Sequence, residues 1–210
     1  MNSKVFIIGL AGLFCTSALG QDLLELPSPR TNGGRPLMQV LKDRKSAREF
    51  STNALPTQIV SDLLWAAYGV NRPETGRRTA PSARNWQEID VYVAMAEGLF
   101  VYDAKANALK TVLNEDVRVL CGTQDYVKDA PLNLVFVADL SRMGEASAED
   151  KTNLAYADAG FISENVYLFC ASEGLATVIR ASIDRPTLAT KLNLSSTQSI
   201  ILSQTVGFPK

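Results

Sequence analysis

The chain has 210 residues, 46% of them hydrophobic, and its 21 Lys and Arg against 22 Asp and Glu leave a formal net charge of −1. This balance offers no basic excess for nucleic acid and no polybasic run for a membrane surface. There is no histidine, which excludes Ser-His-Asp and Cys-His catalysis and the usual zinc sites. An enzyme of this composition finds an economical source of chemistry in a borrowed cofactor; a carboxylate-based hydrolase is the alternative that needs none.

The first twenty residues read as a targeting segment. Lys4 gives a short positive start, and Val5 to Phe14 is an apolar run of about ten residues, the length of a signal-peptide core and too short to span a bilayer. Ala18-Leu19-Gly20 supplies small residues at the two positions a signal peptidase reads. Cleavage is expected near Gly20, before Gln21, leaving a periplasmic or secreted protein with no membrane span. Competing readings are an uncleaved helix and a lipoprotein signal acylated at Cys15, against which stands the bulky Phe14 where a small residue is normal. The remaining roughly 190 residues suit one domain with a good core.

Residues 21–35, with Pro27, Pro29 and the Gly33-Gly34 pair, read as an exposed arm, and residues 36–210 as the domain. Pro36 to Lys42 is expected to be a short helix with Leu37, Val40 and Leu41 on one face. A basic turn, Arg44-Lys45-Ser46-Ala47-Arg48, follows. Pro56 then opens a helix with Ile59, Leu63, Leu64 and Ala67 at helical spacing, and Gly69 ends it. Residues 71–87 read as a long polar loop, a length that in a compact domain points to function or disorder. Strands are expected over Ile89 to Met95, over Leu99 to Tyr102 and Ala108 to Val112 as a hairpin, and over Leu132 to Ala138 as a central strand.

The longest element is expected from about Glu149 to Glu173. Leu154, Ala157, Phe161, Val166, Leu168 and Phe169 cover more than one face, which suggests a helix buried on several sides at a subunit interface. After Gly174 come a strand at Thr177 to Ile179, a helix at Arg185 to Lys191 and a last strand at Ser199 to Val206. Helices and strands mix without strict alternation, so the class is α+β. Cys170 falls in an apolar helical stretch and reads as a buried free thiol; export leaves a disulfide with Cys121 open.

Two segments could carry chemistry. In the basic turn, a guanidinium grips phosphate through paired hydrogen bonds and Ser46 can add another, although basic turns are also ordinary solvated surface. In the Pro81 to Gln87 loop, the amides of Asn85 and Gln87 both donate and accept, which matches the alternating carbonyl and N–H edge of a flavin pyrimidine ring; a polar loop tip is the plainer reading. Tyr92, Tyr126 and Tyr156 can donate protons in principle, and core packing accounts for each.

Taken in order, these stretches resemble the nitroreductase-like FMN family. The resemblance rests on the basic turn, then Leu63-Leu64-Trp65-Ala66-Ala67, then Arg78-Thr79-Ala80-Pro81-Ser82-Ala83-Arg84-Asn85 running into Val91-Tyr92-Val93-Ala94. Ala157-Asp158-Ala159-Gly160, Glu173-Gly174-Leu175, Ser182-Ile183-Asp184 and the closing Val206-Gly207-Phe208-Pro209-Lys210 continue it to the end of the chain. Trp65 and Gly76-Arg77-Arg78-Thr79 are closest to the subgroup containing the thiazole- and oxazole-forming dehydrogenases.

The resemblance implies a three-layer sandwich with a central mixed or antiparallel sheet, a long interface helix and a homodimer with FMN at its interface. It implies an FMN-dependent oxidoreductase that passes hydride or electrons through flavin N5 to or from a small organic substrate by ping-pong exchange. By position, Arg44 and Ser46 would hold the phosphate and ribityl end. Lys45 would contact the same segment through its backbone, and Arg48 would lie near flavin N1 and O2. Asn85 and Gln87 would bond the ring, the backbone of Ala181 and Ser182 would approach N5, and Lys210 would reach the phosphate. Two departures stand out: Ala181-Ser182 replace a common Glu-Gly, and a single late basic residue replaces a pair. With no cytosolic hydride donor outside the inner membrane, the alternative is a non-catalytic protein holding flavin or another planar ligand on the same fold.

Overall fold

The computed structural model describes residues 23–210. The expected signal peptide, its cleavage site and Cys15 lie outside the described residues. One sheet organises the domain, with strand order β1-β6-β5-β4-β7-β9-β8. In chain order these are β1 (Leu23–Glu25), β4 (Ile89–Met95), β5 (Gly98–Asp103), β6 (Ala108–Leu113), β7 (Leu132–Asp139), β8 (Ala176–Arg180) and β9 (Gln198–Gly207), and a separate hairpin pairs β2 (Val70–Arg72) with β3 (Arg77–Arg78). Every neighbouring pair is antiparallel, which resolves the mixed-or-antiparallel expectation.

β7 explains the layering. Its run is apolar at nearly every position because both faces are covered. Leu134 and Phe136 join the core beneath α2 (Thr57–Tyr68) and α4 (Ala148–Glu173). Val135 and Val137 join the opposite core, where a short 3-10 turn (Arg118–Cys121), α3 (Tyr126–Asp129) and α5 (Arg185–Lys191) pack. The result is helices, sheet, helices: the three-layer α+β sandwich. α3 and the 3-10 turn escape a sequence reading because one turn of helix is too short to show a period.

α4 begins at Ser147, whose hydroxyl accepts the Asp150 N–H at 3.1 Å, with Glu149 and Asp150 facing the positive end of the helix dipole. It ends at Gly174, whose φ of 71° is left-handed. One face packs Ala155, Ala159, Ile162 and Val166 on the sheet, while Tyr156 and Phe161 stay 43% and 49% exposed. Tyr156 is therefore not a core residue. α1 (Leu37–Asp43) also departs from its expected face: only Val40 is buried, and Leu37, Met38 and Leu41 point outward.

Two further segments differ from expectation. The exposed arm is exposed but tethered: β1 pairs with β6, and Arg30 grips the buried carboxylate of Asp62. The 71–87 loop is folded, into the β2–β3 hairpin and a 3-10 turn at Ala83–Asn85. Its turn is closed by Thr75 N–H to Arg72 O at 3.1 Å, and Arg72 Nη2 donates to Arg78 O at 2.8 Å. Polar composition concealed the hairpin because its bonds are made by backbone and arginines rather than by an apolar face. Cys121 and Cys170 are buried and unpaired, and burial pushes both thiols up.

Gly69 ends α2 for a reason of space. Its φ of −70° is open to any residue, but an added Cβ would lie 2.5 Å from Trp65 Cδ1 and 2.7 Å from Trp65 O. Gly69→Ala is expected to destabilise the fold by about 1–3 kcal/mol, the usual range for overpacking, read as a lower urea midpoint at unchanged slope.

Candidate active site

The basic turn leaves α1 and lies against α4 and β8. Ala47 N–H donates to Thr177 O at 2.9 Å, which ties the turn to the outer strand of the sheet. Ser46 Oγ and Tyr167 Oη share a 2.7 Å hydrogen bond, and Tyr167 Oη also accepts the Ile179 N–H at 3.1 Å. The Arg44 guanidinium rides 5.2 Å from the centre of the Tyr167 ring. Tyr167, absent from the sequence-based candidates, is thus the post on which Arg44 and Ser46 are mounted.

The C-terminus comes to the same edge. Ser51 N–H donates to Phe208 O at 2.9 Å and Phe50 bridges Pro209, so Lys210 is delivered beside the turn. Lys45 and Pro209 line a cavity of about 240 Å³ there, with Tyr167 and Thr177. Asp43, on the rim, is already paired with Arg35. Among the described residues Arg44, Lys45, Arg48 and Lys210 are in no ion pair. Arg44 and Ser46 mounted on Tyr167, with Lys45 in the cavity wall, put cations and a hydroxyl at one edge, a set suited to a phosphate.

The second segment rests on α4 one station away. Ala83 N–H donates to Asp158 Oδ2 at 2.9 Å. From Asp158 to Tyr167 the helix rises about 14 Å, so α4 carries both candidate segments at a spacing suited to an elongated cofactor. The loop is strained: Arg84, Asn85 and Gln87 have φ of 51°, 57° and 49°, a left-handed region that non-glycine residues occupy at a cost and that clusters at functional sites.

Asn85 and Gln87 play different parts. Asn85 is exposed, and its carboxamide oxygen accepts from Gln87 Nε2 at 3.2 Å. Gln87 is spent internally, accepting from Arg78 Nε at 2.8 Å and donating to Gly76 O at 3.1 Å. Gln87 positions the loop against the hairpin, while Asn85 meets solvent. Ala181 and Ser182 are exposed just beyond β8; their carbonyls accept from Arg185 Nη1 at 3.0 Å and Thr123 N at 3.1 Å. Of the tyrosines, Tyr92 is in the core and Tyr126 packs on Phe50, with ring centres 5.5 Å apart.

Under the loop lies an acidic pair that sequence reading missed. Glu88 and Asp158 are 0% and 2% exposed. Ser82 Oγ donates to Glu88 Oε2 at 3.2 Å and itself accepts the Gln87 N–H at 2.8 Å. Burial, and the adjoining Asp158 carboxylate, push the Glu88 carboxyl up to about 7. Asp158 was visible in the sequence as a lone acid in an Ala-Asp-Ala-Gly stretch of helix, and Glu88 as an acid directly before an apolar strand.

A long helix packed on a seven-stranded antiparallel sheet, with an unpaired cationic edge and a strained amide-bearing loop against that helix, defines a three-layer α+β fold with a site suited to an anionic cofactor. The Nitroreductase family profile matches residues 41–208, and the chain belongs to that family. It is an oxidoreductase. A protein described as a nitroreductase of Methanocaldococcus jannaschii is 30% identical over 152 residues, 68% of this chain and 76% of its own. The crystal structure of a nitroreductase homologue from Ralstonia eutropha JMP134 superposes with a TM-score of 0.86 at 45% identity, covering 90% of each chain. The NADPH:FMN oxidoreductase of Vibrio harveyi shares the fold, with a TM-score of 0.62 at 19% identity over 83% of this chain and 69% of that one.

Proposed function

We propose that the protein is an exported FMN-dependent oxidoreductase acting on a small organic molecule, with FMN held between the basic turn and the Asn85 loop. The observation that carries this is the mounting of Arg44 and Ser46 on Tyr167 of the same helix that supports the strained loop, with Lys45 and Arg48 in the same turn and Lys210 following Pro209, which bridges Phe50. Cations outside any ion pair fit a phosphate dianion, and an exposed side-chain amide fits the donor and acceptor edge of the flavin ring. Bound FMN supplies hydride or electron transfer at N5. The chain's own residues bind and orient it: Arg44 and Ser46 at the phosphate and ribityl end, Lys45 through its backbone and Lys210 through its ammonium.

Arg48 is the cation assigned to the N1 and O2 edge, where positive charge favours the reduced ring. Asn85 bonds the pyrimidine edge, Gln87 holds Asn85 in place, and the backbone of Ala181 and Ser182 borders N5. The outward apolar residues Met38, Leu41, Tyr156 and Phe161 on α1 and α4 support a homodimer in which a second copy completes the site. Export is the reading of the Lys4 to Gly20 segment; N-terminal sequencing of the protein from its producing cell is expected to begin at Gln21, and a start at Met1 opposes it.

The test is an absorption spectrum of the purified protein before and after FMN addition and removal of excess. Flavin bands that travel with the protein are the expected result. A colourless protein that cannot be reconstituted opposes the assignment. FMN at a hundred times its dissociation constant is expected to add about 2.7 kcal/mol of stability.

A further inference from the structure

The β2–β3 hairpin and the following loop enclose a cleft of about 470 Å³ whose lining holds Arg72, Arg77, Arg78 and Arg84 with Ser82 and Asn85, and no acidic residue. Among the described residues none of these arginines is in an ion pair. Gathering four like charges is unfavourable, and Arg84 adds a left-handed backbone. Three of the guanidinium groups are nevertheless ordered by protein. Arg78 lies 4.3 Å from the Tyr68 ring centre and donates to Gln87 Oε1. Arg84 lies 5.3 Å from the Trp86 ring centre. Arg72 donates to Asn71 Oδ1 at 3.0 Å and to Arg78 O. Guanidiniums fixed by ring faces and carbonyls rather than by counter-ions are set to grip anion oxygens in pairs, with little ordering left to do when the anion arrives.

We propose that this cleft binds the phosphate of a small organic phosphate, and that this ligand is the substrate of the oxidoreductase. Asn85 links the two ideas, since it lines the cleft and also stands at the flavin edge in the reading above. A ligand anchored by its phosphate on the arginines therefore has its other end beside the flavin. The substrate role rests on the flavin reading; the anion site itself does not.

Inorganic pyrophosphate is the first probe, titrated calorimetrically into the FMN-loaded full-length protein so that the Arg44 cradle is already filled. Saturable binding is expected, weakened at least tenfold in Arg72→Gln/Arg77→Gln with flavin absorbance retained. Both side chains are exposed, and Arg84→Gln provides a second variant with the same expected direction. No saturable binding, or equal binding in wild type and both variants, overturns the site. Should the protein retain no FMN, the titration is made in an Arg44→Ala background. Binding there that still falls with Arg72→Gln/Arg77→Gln upholds the arginine cleft while the flavin reading fails.

For the substrate role, the flavin band is followed during reduction by dihydronicotinamide mononucleotide and by its dephosphorylated riboside. The double variant is expected to raise the half-saturating concentration of the phosphorylated donor at least tenfold and to leave the riboside unchanged. Equal changes for both donors, or none for either, remove the role.

Discussion

Arg44→Ala is expected to weaken FMN retention by about 10- to 100-fold, as loss of a charge-assisted hydrogen bond worth about 1.5–3 kcal/mol implies. The guanidinium lies over Tyr167 and is in no ion pair among the described residues, so little of the apoprotein's stability depends on it. Its melting temperature without FMN is therefore expected to change little, while the gain on adding FMN shrinks. Tyr167→Phe gives a complementary result. It removes the hydroxyl shared by Ser46 and the Ile179 N–H but keeps the ring under Arg44, so FMN affinity is expected to fall less than in Arg44→Ala. Fluorescence titration of FMN against both variants reads the difference. Equal FMN affinity in wild type and Arg44→Ala would remove the phosphate cradle from the proposal.

Glu88→Gln is expected to flatten the protein's stability profile between about pH 4.5 and 7. The sign follows from linkage. Burial, then the adjoining Asp158 carboxylate, raise the folded-state pKa of Glu88 from 4.5 to about 7. In that window the unfolded chain has given up the Glu88 proton and the native protein keeps it, so the native state binds more protons and stability falls as pH rises. The stabilising effect of the protonated form is complete below about pH 4.5 and gone once pH has passed about 7. Glutamine keeps the shape and a donor toward Asp158 but cannot ionise, so this part of the pH dependence disappears.

The pair also anchors the Asn85 loop, through Ser82 to Glu88 and Ala83 to Asp158. Ionisation of Glu88 beside Asp158 pushes these anchors apart, and FMN affinity in the wild type is expected to weaken on the alkaline side of the same window. Urea denaturation at several pH values, run on wild type and Glu88→Gln, checks the first statement. Parallel profiles would show that Glu88 is not the group responsible.

The two candidate segments are legible because their residue types are unusual in order. Arg44-Lys45-Ser46-Ala47-Arg48 and Pro81 to Gln87 were identified as strings, and the structure seats both on α4. Their supports were not legible. Tyr167 reads in sequence as one more aromatic in an apolar helix, and only its 2.7 Å contact with Ser46 distinguishes it. Gln87 and Asn85 look equivalent as neighbouring amides, yet one is consumed by Arg78 and Gly76 and the other faces solvent. The four arginines of the cleft are spread over thirteen positions, and a hairpin hidden in polar composition brings them together.

The sequence by itself determined the elements whose signal is local. A period-3.6 pattern marks α2, apolar residues over more than one face mark α4, their ends are punctuated by Pro56, Gly69 and Gly174, and the apolar run of β7 announces a central strand. Tertiary structure decided what depends on groups far apart in the chain: the strand order, the outward turn of Leu37 and Leu41, the meeting of Lys210 with the basic turn, and the burial of Glu88 against Asp158. The physical reason is the range of the forces that specify each. Helix and strand patterns arise from backbone geometry over a few residues, whereas desolvation and charge pairing depend on which surfaces the finished fold brings together.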